Sequence, residues 1–177
     1  IIRGRRLNKL DDMSVFLSAD LKELCEGANA IRLALCGDKA DLCTIINGRG
    51  GRCSEDCKFC AQSVHHHTNC GAHGFLDIDA ILKDCDRMAA QGVDRYSIVT
   101  AGRTLEGKDL EKALEAYRLM HKRYPDLILC ASHGLVKGED LRRLREAGVT
   151  MYHANLETSE RYFPYICTTH TYEDKKK

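Results

Sequence analysis

The sequence holds no apolar run of the roughly 20 residues that a membrane-crossing helix needs. Its first residues also lack the pattern of a secretory signal: Ile1 to Lys9 is basic, but no apolar stretch follows it. Neither charge is in surplus. Lysine and arginine number 27, aspartate and glutamate 26, and the net charge is +1. That balance gives no electrostatic ground for a nucleic-acid partner or an anionic membrane surface.

What is present is ordinary globular material. Hydrophobic residues make up 44% and charged residues 30% of 177 positions, enough for a packed core rather than disorder. The ten cysteines are the outlier. Without a secretory signal, a disulfide framework explains them poorly. Reduced thiols in the cytoplasm, some of them holding a soft metal, explain them better. Cys25, Cys36 and Cys85 fall in helical patterns and are expected as small buried residues.

Residues 1–40 read as an N-terminal helical extension. Within it, Leu21, Leu24, Cys25, Ala28, Ile31 and Leu35 recur at helical spacing, and Gly37 is a stop. From residue 41 onward, strands and helices alternate. Leu42 to Ile46 reads as a buried strand, and Asn47 to Gly51 as a glycine-rich turn. A helix over 77–91, a strand over 95–100 and a helix over 108–123 follow, the last ended by Pro125. Then come a strand over 127–131, a helix over 139–147 and a strand over 149–154. Such alternation predicts an α/β fold with a parallel sheet and right-handed crossovers. A complete TIM-type (β/α) barrel has eight strands in about 250 residues, so residues 41–177 cover only part of one.

The strongest local signal is Cys53-Ser54-Glu55-Asp56-Cys57-Lys58-Phe59-Cys60. It follows the first strand, at the end where barrel active sites lie. Three thiolates suit a [4Fe–4S] cubane, because one iron is left without a protein ligand. Structural zinc usually wants four protein ligands. The nearest further candidates are Cys70 and the tract His65-His66-His67. Three adjacent histidines cannot all face one ion on regular structure, so the tract reads as loop.

The stretch Ile45 to Cys53, continuing through Ala61-Gln62-Ser63, resembles the cluster loop of the biotin synthase family of radical S-adenosylmethionine (SAM) enzymes. Asn155-Leu156-Glu157-Thr158-Ser159 resembles a second motif of that family. Ile166-Cys167-Thr168-Thr169-His170-Thr171-Tyr172 resembles a third. The resemblance implies a radical SAM barrel with Cys53, Cys57 and Cys60 as the catalytic cluster ligands. In that family S-adenosylmethionine binds the open iron and is cleaved reductively to a 5′-deoxyadenosyl radical. The radical takes hydrogen from dethiobiotin, and inserted sulfur closes the ring of biotin.

The resemblance further implies that Phe59 lies near the adenine, that Thr100 and Ala101 approach the methionine end, and that Glu157 binds the ribose hydroxyls. Asn155 would contact both substrate and nucleoside, with His153 on the substrate side. It also implies a flavodoxin- or ferredoxin-type electron donor and a homodimer. Two features depart from the common pattern. Ser97 stands where a second-cluster cysteine is expected, and Cys130 keeps its cysteine. The run Ser97-Ile98-Val99-Thr100 resembles a variant class with a different auxiliary iron–sulfur cluster, for which Cys130 is the leading ligand and Cys43 and Cys70 are lesser ones. Two alternatives stand beside this reading: another radical SAM enzyme, such as a hydrogenase-maturase-like protein, and an inactive fragment that binds a cluster or zinc.

Overall fold

A computed structural model describes all 177 residues. The chain divides into two compact units, Ile1–Ala40 and Asp41–Lys177. The first contains α1 (Ser14–Ser18) and α2 (Leu21–Cys36). The Asp20 carboxylate starts α2 by accepting from the N–H groups of Lys22 and Glu23. Gly37, at φ +75°, ends it. Neither helix buries a residue. Cys25 and Cys36, expected to be buried, are therefore exposed. Their helical spacing is real, but a unit spanning residues 1–40 is too small to enclose a core of its own.

The second unit is built on a parallel sheet in the order β1 (Cys43–Arg49), β2 (Arg95–Thr100), β3 (Ile128–Ser132), β4 (Val149–Tyr152). The crossover helices are α3 (Ile78–Ala90), α4 (Gly107–Arg123) and α5 (Gly138–Glu146), and the short α6 (Phe163–Ile166) and α7 (Tyr172–Lys176) follow. Ile81, Cys85 and Met88 of α3 and Leu114, Tyr117 and Met120 of α4 pack on Tyr96, Ile98, Leu129 and Ala131. Cys85 is buried there, as its spacing predicts. No helix is long and apolar enough to cross a membrane.

Side chains alternate across the sheet. While Tyr96 and Ile98 join the helix-packed core, the other face carries Ser97, opposite both Ile45 and Cys130. Cys43 pairs with Arg95 and Cys130 with Met151 on that same face. These four parallel strands are half the number of a complete (β/α) barrel and form an open sheet.

One boundary differs in kind from expectation. The glycine-rich turn does not begin at Asn47, because β1 runs on through Arg49. A Cβ at Gly48 would stand 2.7 Å from Ile98 Cγ2, so glycine lets β1 close up on β2. The register then slips between Asn47 and Arg49 and releases the chain into the cysteine loop. At the far side, β4 ends at Tyr152 rather than Ala154, although the His153 N–H still donates to Ala131 O at 2.7 Å.

Candidate metal centre

Arg49 fixes the exit from β1. Its guanidinium donates to the carbonyls of Ala101 (2.9 Å) and Thr104 (3.1 Å) and pairs with Asp109 at 3.1 Å. The loop beyond it closes on itself: the Cys53 N–H donates to Gln62 O and the Val64 N–H to Cys53 O, both at 2.9 Å. Cys53 is buried, and Cys57 and Cys60 are half-buried. All three line a cavity of about 210 Å³ together with Phe59, Thr100, Ala101, Glu157 and His170. A wider depression of about 750 Å³ adjoins it through Ala101, Gly102 and Arg103.

A second segment grips this loop from more than a hundred residues away. The Lys58 N–H donates to Ile166 O at 2.9 Å. The Asp56 carboxylate accepts from the N–H groups of Thr168 (2.8 Å) and Thr169 (3.2 Å) and from both threonine hydroxyls. The Thr168 hydroxyl and N–H foremost hold the Asp56 carboxyl well below the usual carboxylate range. Glu55 is buried and accepts from Thr169 Oγ1 (2.8 Å) and Arg103 (3.3 Å), with His170 Nδ1 at 2.5 Å. Burial alone would raise its pKa, but the His170 and Thr169 hydrogen bonds and the Arg103 charge outweigh that and lower it.

Cys57 Sγ lies 3.8 Å from Cys167 Sγ. Burial first, then Cys167, pushes the Cys57 thiol up to about 12. Cys57, Cys167 and His170 bring their ligand atoms within 4.8 Å of one another, whereas Cys53, Cys57 and Cys60 do not form such a group. A cubane does not need such a group, because its ligand sulfurs stand further apart than those around a single ion.

Phe59, Thr100, Ala101 and Glu157 thus share one cavity with the loop cysteines. Glu157 sits at φ +67°, a strained backbone for a non-glycine residue. Asn155 stands outside the cavity, exposed, with its Oδ1 2.8 Å from His153 Nε2. Cys130 is buried on the other face of the sheet from the helices. Burial and neighbouring Cys43 raise its thiol pKa, with Arg95 opposing. Cys43 and Cys70 are exposed.

The histidine tract lies along the cysteine loop: His65 Nε2 sits on Ser54 O (3.1 Å) and His66 Nε2 on Cys57 O (3.0 Å). Neither this tract nor Cys70, the nearest further candidates in sequence, joins a group of metal-ligand atoms. Cys167 and His170 come to Cys57 instead.

Sequence reasoning missed Glu55, Asp56, Cys167 and His170 as parts of this centre, because no spacing rule links residues so far apart. It also missed His133. That buried ring has Nδ1 3.0 Å from Thr100 Oγ1 and Nε2 3.0 Å from the Tyr117 hydroxyl. Burial first, and the Arg49 cation next, push it down to about 4.

The chain is similar to known proteins in sequence and in fold. The sequence is 59% identical to the biotin synthase of Clostridium beijerinckii over the whole chain and 56% of that protein. It is 58% identical to that of Alkaliphilus metalliredigens over 99% of the chain and 55% of that protein. The chain thus spans about half the length of these curated relatives. Among solved structures, methylornithine synthase superposes with a TM-score of 0.76 at 19% identity, covering 99% of this chain and 52% of that one. A maturase of the [FeFe]-hydrogenase superposes with a TM-score of 0.66 at 11% identity, covering 92% of this chain and 37% of that one. Both likenesses speak to fold. The profile of the Radical SAM superfamily matches residues 49–177, most of the chain and all of the cysteine loop, and the chain therefore belongs to that superfamily.

Proposed function

We propose that this chain is the cluster-bearing half of a biotin synthase, converting dethiobiotin to biotin by radical SAM sulfur insertion. One observation carries the reading. The cysteine trio opens into the same cavity as Phe59, Thr100, Ala101 and Glu157, the positions at which the family resemblance sets the nucleoside and methionine ends of S-adenosylmethionine.

The donors fit a [4Fe–4S] cluster: three thiols on a closed loop, spread too far for one ion, beside open volume. When bound, the cluster supplies the electron for reductive cleavage of S-adenosylmethionine. The chain supplies position. Phe59 offers a face to the adenine, and Glu157 offers two acceptor oxygens to vicinal ribose hydroxyls. Thr100 and Ala101 wall the methionine end, and Thr100 is itself held by His133. Burial of Cys53, Thr100 and Ala101 keeps that wall dry.

His153 and Asn155, joined at 2.8 Å, are assigned to dethiobiotin. Cys130 is assigned to an auxiliary iron–sulfur cluster, with Cys43 as its nearest thiol partner on the same sheet face. Ser97, opposite Cys130, leaves no second thiol at the position where the commoner sulfur donor would want one. A flavodoxin- or ferredoxin-type donor and a homodimer complete the proposal.

The test is anaerobic reconstitution. Cys57→Ala should lose the reduced-cluster electron paramagnetic resonance signal, and a full signal would refute the ligand assignment. Cys130→Ala should keep S-adenosylmethionine cleavage while biotin formation stops. Equal loss of both activities would make Cys130 structural.

A further inference from the structure

The cluster reading uses Cys57 but leaves Cys167 and His170 without a role. Both are buried, at 3% and 6% exposure. A tetrahedral zinc with Zn–S bonds of about 2.3 Å sets two ligand sulfurs about 3.8 Å apart and a sulfur and nitrogen about 3.5 Å apart. Cys57 Sγ and Cys167 Sγ are 3.8 Å apart. The His170 ring nitrogens lie 3.2 Å (Nδ1) and 3.8 Å (Nε2) from Cys167 Sγ. The imidazole is also held by the buried Glu55 carboxylate, which lies 2.5 Å from Nδ1. A carboxylate on the far nitrogen of a ligand histidine fixes its tautomer and raises its basicity, the usual outer support of a zinc site. Here it leaves Nε2 with a free lone pair. Thr169 and Arg103 hold Glu55 in turn.

We propose that Cys57, Cys167 and His170 form a second metal site, one that takes a thiophilic divalent ion such as zinc and excludes the cluster because both need Cys57. Binding replaces the proton on each thiol with a metal–sulfur bond and releases those protons to solvent, and nothing is oxidised. Water fills the fourth position. Zinc capture and cluster loading are then alternatives for one chain, decided by which metal arrives first.

The test uses the reduced, metal-free chain, titrated with Co²⁺ and with Zn²⁺ against a chromophoric chelator. One ion should bind, with the thiolate-to-cobalt absorption of a tetrahedral site. Cys167→Ala and His170→Ala should each weaken Zn²⁺ binding at least about tenfold, and Glu55→Gln by about tenfold. A chain carrying both Cys53→Ala and Cys60→Ala, unable to hold a cubane, should keep its zinc affinity. The proposal is overturned if that double variant loses zinc while Cys167→Ala keeps it. X-ray absorption on the zinc-loaded natural chain decides between the same two ligand sets without any substitution. Two sulfurs near 2.3 Å plus nitrogen support the site, and three sulfurs sink it. Failure of cluster loading in the natural chain would count against the biotin synthase reading and leave the zinc result standing.

Discussion

Asp56 lies between Cys53 and Cys57 in sequence, yet its carboxylate is spent on the chain far downstream. It gathers two N–H groups and two hydroxyls from Thr168 and Thr169. Such charge-assisted bonds are the strong kind, though partial exposure discounts them. Asp56→Ala should therefore cost about 1–2 kcal/mol in urea unfolding and speed the loss of iron from a reconstituted chain. Asp56→Asn keeps an acceptor oxygen and should cost about half as much. The folded carboxyl titrates below its ordinary value, so its contribution is complete above the unfolded pKa near 4 and is lost as pH falls below that. An Asp56→Ala chain that holds iron as long as the natural one would refute the clamp. None of this is legible locally, since Asp56 reads as one more loop carboxylate until the fold brings the Thr168-Thr169 pair to it.

Among the elements, the sequence was most legible where periodicity rules. The α2, α3 and α4 spacings place those helices within a residue of where they lie, and strand–helix alternation predicts the parallel sheet. It was least legible where one element meets another. Gly48 looks like turn material, but it belongs to β1 because of what β2 presents to it. Gly134, after β3, shows the same kind of hidden demand. Its φ is +74°, and a Cβ there would stand 2.2 Å from the Arg103 carbonyl oxygen, on the loop after β2 that walls the cavity. Backbone cannot move aside as a side-chain tip can. Gly134→Ala should cost about 2–4 kcal/mol by urea midpoint, combining left-handed strain with overpacking. Gly138 at the start of α5 is the control: nothing lies within 4 Å of its would-be Cβ and its φ is ordinary. Gly138→Ala should be neutral or slightly stabilising. Equal effects at the two positions would show that the close approach at Gly134 is relieved at no cost.

The second unit as a whole depends on a buried polar link that joins site and core. His133 contacts Thr100 at the cavity wall and Tyr117 in α4, and its own N–H donates to the Tyr152 hydroxyl in β4. Tyr152 donates onward to Gly134 O at 2.7 Å. β2 and α4 thus meet on one neutral imidazole, and β4 reaches the backbone of the same residue. Burial, then the Arg49 charge, lower its pKa from 6.5 to about 4. In the unfolded chain the same ring takes a proton near pH 6.5. Between these values the unfolded state holds more protons, so stability rises with pH. It is fully present above about 6.5, declines as pH falls toward 4, and declines no further from this group below that. The span corresponds to about 3 kcal/mol at most. His133→Gln can still bond both Thr100 and Tyr117 but cannot titrate. Its urea midpoint should start lower at neutral pH and vary less between pH 6.5 and 4. Parallel pH profiles for the two chains would place the acid sensitivity in other groups. Because Thr100 lines the cavity beside the loop cysteines, the same acid step should loosen the wall against which the nucleotide cosubstrate is proposed to lie. Acid-induced loss of S-adenosylmethionine binding should then disappear in His133→Gln.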